Sequence, residues 1–340
     1  MTDIAQYLNI LINKKDLTFE QSQNLLDTIF HGQVPESQVA AFLTAMRIKT
    51  PTANELAGLA SSLRNHAVKV ETGIDNLIDT CGTGGAKTKT FNISTACAIV
   101  AAGAGAFVAK HGNRGITSKC GSADVLAELG VKIDAEPVII AECIRKAHIG
   151  FMFAPKFHPA MKYVQPVRKA LGFGTVFNIL GPMANPAGAV AQVMGVPQAG
   201  FMNTIAETLK MLGTKKAFVV HSDGLDEISI MGTTKILELS NGRITERQVN
   251  PQDFGIEPAD IEQLKGGSVS ANAKIIKDIL IGKDTGPRRD IVVLNAAAAI
   301  IVANLADDFV SAIKLANDSI DNGNAADCLE KLIKISNTID

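Results

Sequence analysis

The sequence predicts an α/β fold: a mostly parallel central sheet flanked by helices, with a smaller all-helical domain in front of it. Three observations predict it. Residues 1–70 carry helical apolar periodicity and no strand-like run. From residue 77 onward, short β-prone apolar runs alternate with helical stretches, the pattern of parallel strands covered on both faces. The chain is 340 residues long, 46% apolar and 20% charged, which is enough to bury a large core and excludes global disorder. We therefore divide it into a small helical domain, 1–70, and a large α/β domain, 71–340.

In the first domain, Ile4, Leu8 and Leu11 share one helical face. Thr18-Phe-Glu-Gln21 reads as a capping box ahead of Leu25, Leu26, Ile29 and Phe30, and Gly32 suits the helix end. Pro35 fits the first turn of a helix carrying Val39, Phe42, Leu43 and Met46, and Thr52-Ala-Asn-Glu55 opens another. In the second domain, strands are expected at 77–79, 107–109, 149–153, 193–196 and 217–220, and helices at 94–102, 122–129, 137–147 and 202–212. Residues 234–249, with Asn241-Gly242 between β-prone runs, read as a surface hairpin. The C-terminal third ends in helices rich in Ala, Ile and Leu.

Lysine plus arginine number 33 against 34 aspartate plus glutamate, a net charge of −1. That balance gives no blanket attraction to nucleic acid or an anionic membrane, so any anion site must be built locally. Aromatics make up 5%, with no Trp and only Tyr7 and Tyr163 as tyrosines, which disfavours a stacking platform for single strands. Cys81, Cys97, Cys120, Cys143 and Cys328 are odd in number and lack CxxC spacing. They argue against a disulfide framework or a zinc ribbon and for a reducing cytoplasm. The start shows no leader pattern. The apolar runs at 96–109 and 292–306 are too short or too interrupted to span a bilayer.

Ligands of such sheets bind where strands end. Asp79-Thr-Cys-Gly82-Thr-Gly-Gly85 leaves the first strand, and Asn92-Ile-Ser94-Thr95 opens the next helix. Glycines let backbone N–H groups approach a phosphate, and a helix N-terminus favours an anion. The string is not a P-loop, since Ala86 precedes Lys87-Thr88, nor a dinucleotide fingerprint, since Lys87 takes the last glycine's place. The second strand end runs from Lys110-His-Gly-Asn113-Arg114 through Ser118-Lys119-Cys-Gly121-Ser122, with three cations among glycines and hydroxyls. Two such loops at successive strand ends suit a diphosphate. Asp226-Glu227 follow another strand, and beside a phosphate pocket such carboxylates suit Mg²⁺. Asp223 is either a third ligand or a turn former. No Ser-His-Asp or Cys-His pattern is present. Cys81 reads as a small buried thiol and His148 as a packed or capping histidine. Met152, Met183, Met194, Met202 and Met211 read as core.

GTGG, TFNIST, KHGNR, SKxGSADVL, HPAMK, VRK, FNxLGPxxNP and DGxDE occur in one order along the chain. In that order and spacing the sequence resembles the anthranilate phosphoribosyltransferase family of tryptophan biosynthesis, from the helical start to the C-terminal helices. The resemblance implies a nucleoside phosphorylase/phosphoribosyltransferase-like fold. A segment near 162–190 would return to complete the helical domain near a hinge, with the active site between the domains. The implied reaction moves the phosphoribosyl group of 5-phosphoribosyl 1-pyrophosphate (PRPP) to the amine of anthranilate and releases pyrophosphate. Gly82, Gly85, Thr90, Asn92, Ser94, Thr95, Lys110, His111, Gly112, Asn113, Ser118 and Ser122 would contact PRPP. Gly82, Asn113, Arg168, His111, His158 and Pro182 would contact anthranilate. Ser94, Asp226 and Glu227 would hold Mg²⁺, two ions in all. The family also implies a cytoplasmic homodimer paired through the helical domain, with small-molecule substrates and no nucleic-acid or membrane partner.

The residue chemistry agrees with that implication. Departure of the leaving group puts negative charge on pyrophosphate and positive charge on the ribose, so metal and amide donors stabilise it without a covalent nucleophile. An aromatic amine is already neutral near pH 7, so no strong acid or base residue is expected. Arg168 is the natural bidentate partner for the anthranilate carboxylate. Two positions depart from the family pattern. Ala86 stands where many members carry Asp, which removes a carboxylate near the ribose and metal. Gly174 stands where many carry Arg, which removes a cation near the acceptor channel. A pyrimidine nucleoside phosphorylase would carry a His-Ser-Thr-Gly-Gly run, which is absent. A non-catalytic nucleic-acid-binding relative would carry a long basic stripe, also absent.

Overall fold

Reciprocal caps start the helical domain. The Thr18 hydroxyl accepts the Gln21 N–H at 3.2 Å and the Gln21 side chain accepts the Thr18 N–H at 2.9 Å. Thr52 and Glu55 repeat the arrangement. The computed structural model describes residues 4–85, 89–115, 120–222 and 224–338. Four helices form the bundle: α1 (Ala5–Ile12), α2 (Phe19–Phe30), α3 (Glu36–Lys49) and α4 (Ala53–Asn65). Pro35 stands just ahead of α3 rather than inside its first turn. Gly32, at φ +76°, turns the chain after α2 where a Cβ would lie 2.5 Å from the Tyr163 ring.

Glu55 is fully buried. Its carboxylate accepts the N–H of Leu17 at 3.0 Å and of Thr52 at 2.8 Å and meets the Lys49 ammonium at 2.9 Å. Truncating one member of a buried, multiply bonded ion pair strands the others, so Glu55→Ala is expected to cost about 3 kcal/mol. Denaturant unfolding checks this. A loss under about 1 kcal/mol would mean that exposed Asp16, 2.6 Å from Lys49, suffices as its partner.

The large domain is built on a seven-stranded sheet of order β3-β2-β1-β4-β5-β6-β7. The strands β1 (Ile78–Asp79), β2 (Val108–Gly112), β3 (Ile149–Phe153), β4 (Ala191–Gly195) and β5 (Lys216–His221) run parallel. Between them lie α5 (Ile93–Gly103), α6 (Ser122–Glu128), α7 (Pro137–Ala147), α8 (Ala154–Phe157), α9 (Gln165–Leu171), α10 (Phe177–Leu180) and α11 (Met202–Met211). The expected hairpin forms as β6 (Thr234–Ser240) and β7 (Arg243–Val249), with Asn241 and Gly242 both at positive φ. It is not a surface appendage. β6 pairs antiparallel with β5 and extends the sheet, because Ile236, Leu237 and Leu239 of β6 are buried on both of its faces.

Side-chain alternation along β5 sorts the two faces. Phe218 and Val220 pack with α5 and with α12 (Val269–Leu280), α13 (Pro287–Val302), α14 (Phe309–Asp321) and α15 (Asn324–Ser336). Ala217 and Val219 pack with α11 and with the bundle. The bundle core also takes in Val164, Val167, Phe177, Leu180 and Met183, so a later segment completes it. Arg64 of α4 stitches the two parts together, donating to Met183 O at 2.6 Å and Leu212 O at 3.2 Å. None of the five cysteines is in a disulfide; four of them are buried and Cys81 is partly exposed. His148 caps α7 at φ +59° with its ring 4.5 Å from that of Phe107. Among the described residues no helix is long and apolar enough to cross a membrane.

From β1 the chain moves outward to β2 and β3, then returns to β4 on the other side of β1. That reversal opens a crevice beyond the ends of β1 and β4.

Candidate active site

The glycine loop lies over this crevice. Thr83 donates its N–H at 3.0 Å and its hydroxyl at 3.2 Å to the carbonyl of Gly195, the last residue of β4. A Cβ on Gly82 would come within 3.2 Å of that carbonyl, so the two backbones sit in direct contact. Gly84 and Gly85 adopt φ +64° and +87° with open space around them, leaving the loop without side chains facing outward. Gly195 is pressed from its other side as well, because a Cβ there would lie 1.5 Å from the Asp226 carbonyl. Backbone packing thus stacks the glycine loop, the end of β4 and the carboxylate turn.

Asp226 and Glu227 are half-buried. Burial, joined by repulsion from Asp226, pushes the Glu227 carboxyl up to about 8, against the nearby Lys110 charge and the Ser94 N–H. Burial also raises Asp226, opposed by its own N–H and that of Gly84. Among the described residues neither carboxylate has an ion-pair partner. Lys110, itself buried, spends its ammonium on the Thr80 hydroxyl at 3.1 Å. The Thr80 hydroxyl in turn donates to Ser94 O at 3.0 Å. Two crowded hard-oxygen donors, with Glu227 next to the Ser94 N–H at the start of α5, make a set that fits Mg²⁺. Thr95, next on α5, has a buried hydroxyl with no partner among the described residues. Burial pushes the Cys81 thiol up to about 12, so it is no nucleophile at neutral pH.

The second loop is organised by Asp124. Its carboxylate accepts the N–H groups of Gly115 and Gly121, each at 2.9 Å, and pairs with Arg114 at 2.8 Å. Burial would raise this carboxyl, but those donors outweigh it and hold it below the usual range. Gly121 and Gly112 leave no space for a Cβ, which would meet Gly115 N at 2.3 Å and Ser122 Oγ at 2.2 Å respectively. The Asn113 carbonyl accepts the Ala123 N–H at 3.1 Å, closing the loop onto α6. Asn92 ties both loops together. Its amide donates to Cys120 O at 3.2 Å and accepts from Asn272 of α12 at 3.0 Å. Thr90 forms a β-bridge to Lys265 close by.

At the base of the second loop, His111 donates from Nδ1 to Gly181 O at 3.1 Å, since a carbonyl can only accept. That leaves a buried Nε2 lone pair without a partner among the described residues. The His158 ring lies 5.1 Å away, edge to face. Burial pushes His111 down to about 3 and His158 down to about 4, so both are neutral near pH 7. Asp79 backs the His111 N–H at 3.4 Å and is held by Asn185 at 2.7 Å. Pro182 follows Gly181 and is buried, its carbonyl 3.4 Å from the Gln192 amide. Arg168 sits on α9 above the Phe177 ring and donates to Gln165 at 3.3 Å and Asn178 at 3.2 Å. Burial lowers its pKa, and among the described residues it has no carboxylate partner.

The structure therefore gathers Gly82, Ser94, Lys110, Asp226 and Glu227 at the β1/β4 crevice, with Gly85 on the loop above it. Gly112 ends β2, Asn113 follows it in the second loop and Ser122 opens α6, while His111, His158 and Pro182 lie together below them. Arg168 reaches this group through Asn178, three residues before Gly181. No hydrogen bond among the described residues joins it to the strand-end loops. Asn92 spends its side chain on the protein rather than holding it open. Ser118, Lys119, Ala86 and Asp223 lie outside the described residues. Asp124, Asn178, Asn185, Gly195 and Asn272 were not singled out from sequence.

Comparison with known proteins places these features in a family. The model of the glycosyl transferase family a/b domain matches residues 74–326, and that of its helical bundle domain matches residues 5–67. An anthranilate phosphoribosyltransferase from Herpetosiphon aurantiacus is 48% identical, covering 96% of both chains. The crystal structure of anthranilate phosphoribosyltransferase from Thermus thermophilus superposes with a TM-score of 0.92 at 36% identity, covering 97% of this chain and 99% of that one. The Saccharomyces cerevisiae enzyme in complex with PRPP and Mg gives 0.90 at 28% identity, covering 99% of this chain and 98% of its own. With its glycine loop over the sheet's switch point and both domains matched, the chain belongs to the anthranilate phosphoribosyltransferase family.

Proposed function

We propose that this protein transfers the phosphoribosyl group of PRPP to the amine of anthranilate, giving N-(5-phosphoribosyl)anthranilate and pyrophosphate. The observation that carries the reading is the convergence, at the ends of β1 and β4, of a bare glycine loop, the N-terminus of α5 and a carboxylate pair without an ion-pair partner among the described residues. N–H groups of the loop, with Thr90, Ser94 and Thr95 at the α5 start, receive the diphosphate, and Asn92, its side chain spent on Cys120 and Asn272, braces them. The buried Thr95 hydroxyl gains its missing partner there. Asn113, Ser118 and Ser122 hold the phosphate and ribose from the second loop, and Lys110, buried on β2 against Thr80, adds its charge from behind. Ser94, Asp226 and Glu227 hold Mg²⁺, two ions in all. When bound, the metal supplies charge neutralisation to the departing diphosphate.

Anthranilate lies between the His pair and Arg168. Neutral His111 and His158, with Pro182, form an uncharged wall for its ring. Neither imidazole can protonate the amine near pH 7, and the lone pair at His111 Nε2 can accept its N–H. Arg168, stacked on Phe177 and held by two neutral amides, pairs with the carboxylate. The protein works in the cytoplasm as a homodimer through the helical domain, where Ile12 and Ile48 are each 67% exposed on α1 and α3.

Loss of anthranilate fluorescence tests the reaction. Consumption should require PRPP and Mg²⁺ together; phosphorolysis of thymidine or uridine instead would reassign the enzyme. Arg168→Ala should raise the anthranilate KM about 10- to 100-fold, the worth of a charge-assisted pair, with the PRPP KM nearly unchanged. Equal loss of both affinities would remove Arg168 from the acceptor site.

A further inference from the structure

The C-terminal helices contribute more than packing to this site. Residues Ile291 to Val302 of α13 are all buried, and Asn295 is the one polar side chain among them. A buried amide must find partners, and Asn295 finds two of its three outside its own helix. Its Oδ1 accepts the Ile228 N–H at 2.8 Å, and its Nδ2 donates to Ile228 O and to Ile291 O, each at 2.8 Å. The amide thus pairs with both main-chain groups of one residue, as a neighbouring strand would.

Ile228 directly follows Glu227. Its N–H belongs to the peptide unit that leaves Glu227, and the carbonyl of that same unit accepts the Ser222 hydroxyl at 3.0 Å. A planar peptide pinned at both its N–H and its C=O cannot swing. Asp226, one residue earlier, is backed by Gly195 with no room for a Cβ. Two adjacent carboxylates repel, and a free turn would relieve that by rotating one of them into water. We infer that Asn295 is a positioning residue: by clamping Ile228 from α13, it keeps the Asp226 and Glu227 carboxylates converged for a divalent cation. This rests on the reading of those two residues as metal ligands.

Mn²⁺ in the presence of PRPP is the probe, its free-ion signal followed by electron paramagnetic resonance. Asn295→Leu keeps α13 apolar and removes the clamp. Its Mn²⁺ affinity should fall about tenfold, with the Mg²⁺ needed for half-maximal turnover rising to match, as for other residues that orient metal ligands. Its anthranilate KM should stay within about twofold of the parent. Leu294→Ala, the neighbouring core position, should lose thermal stability while keeping Mn²⁺ affinity. Ser222→Ala removes the other pin and should weaken Mn²⁺ binding in the same direction. A folded Asn295→Leu protein with parental Mn²⁺ affinity overturns the inference. Should that variant not fold, parental affinity in Ser222→Ala overturns it. Asp226→Asn with Glu227→Gln separates the two ideas. If that protein still binds Mn²⁺, the metal assignment fails. If it does not while Asn295→Leu binds normally, the positioning role alone fails.

Discussion

Asp226→Asn combined with Glu227→Gln should abolish turnover, a loss of at least about 10⁴-fold for two groups acting on the developing diphosphate charge. The same protein should fold as well as the parent or better, because the change removes two crowded carboxylates rather than a packed side chain. The pH dependence gives the sign. Glu227 is pushed up to about 8 in the folded chain, above its ordinary value of 4.5. Between those values the folded state holds the extra proton, so its favourable contribution is present at low pH and lost as pH rises through about 8. Without metal, the parent should therefore lose Tm relative to the double variant between mildly acidic and mildly alkaline pH. Added Mg²⁺ with PRPP should restore Tm in the parent alone. Residual turnover with an unchanged Mg²⁺ response would refute the assignment.

Gly195→Ala should be nearly as damaging, for a reason of space and not of conformation, since Gly195 is absent from the positive-φ residues. Its new Cβ would lie 1.5 Å from the Asp226 carbonyl oxygen and 2.5 Å from its carbon. Relief requires the carboxylate turn to retreat by about 2 Å to reach an ordinary contact. A shift of that size should cost at least about a hundredfold in kcat. The Gly195–Val220 register between β4 and β5 should survive, so circular dichroism and the sheet's unfolding transition should change far less than kcat. A parental kcat in this variant would show that the turn can be displaced without consequence.

What the sequence discloses and what it hides follow one physical distinction. Thr18 with Gln21, Thr52 with Glu55, and Asn241 with Gly242 act within three or four residues, and each is seen where it was expected. The strands were legible because burial on both faces leaves continuous apolar runs. The hairpin's position was not, since turn chemistry specifies a bend and not the edge it joins; the doubly buried Ile236, Leu237 and Leu239 were the available hint. In the site, the glycines and carboxylates advertise themselves by clustering. Asn185, Asn272 and Asn295 do not, because each serves a backbone or side chain 67 to 180 residues away. A single asparagine carries no local mark of such a task. Gly195 is equally silent, since its role is set by what presses on it.

The completion of the bundle by Val164, Val167, Phe177 and Leu180 has a consequence for how the chain is made. The four leading helices emerge from the ribosome about a hundred residues before the segment that seals them, roughly 5 to 20 seconds at ordinary elongation rates. During that interval their greasy flank stays open on the nascent polypeptide. Translation speed across the intervening codons, and any chaperone that shields the flank, therefore bear on the yield of native protein.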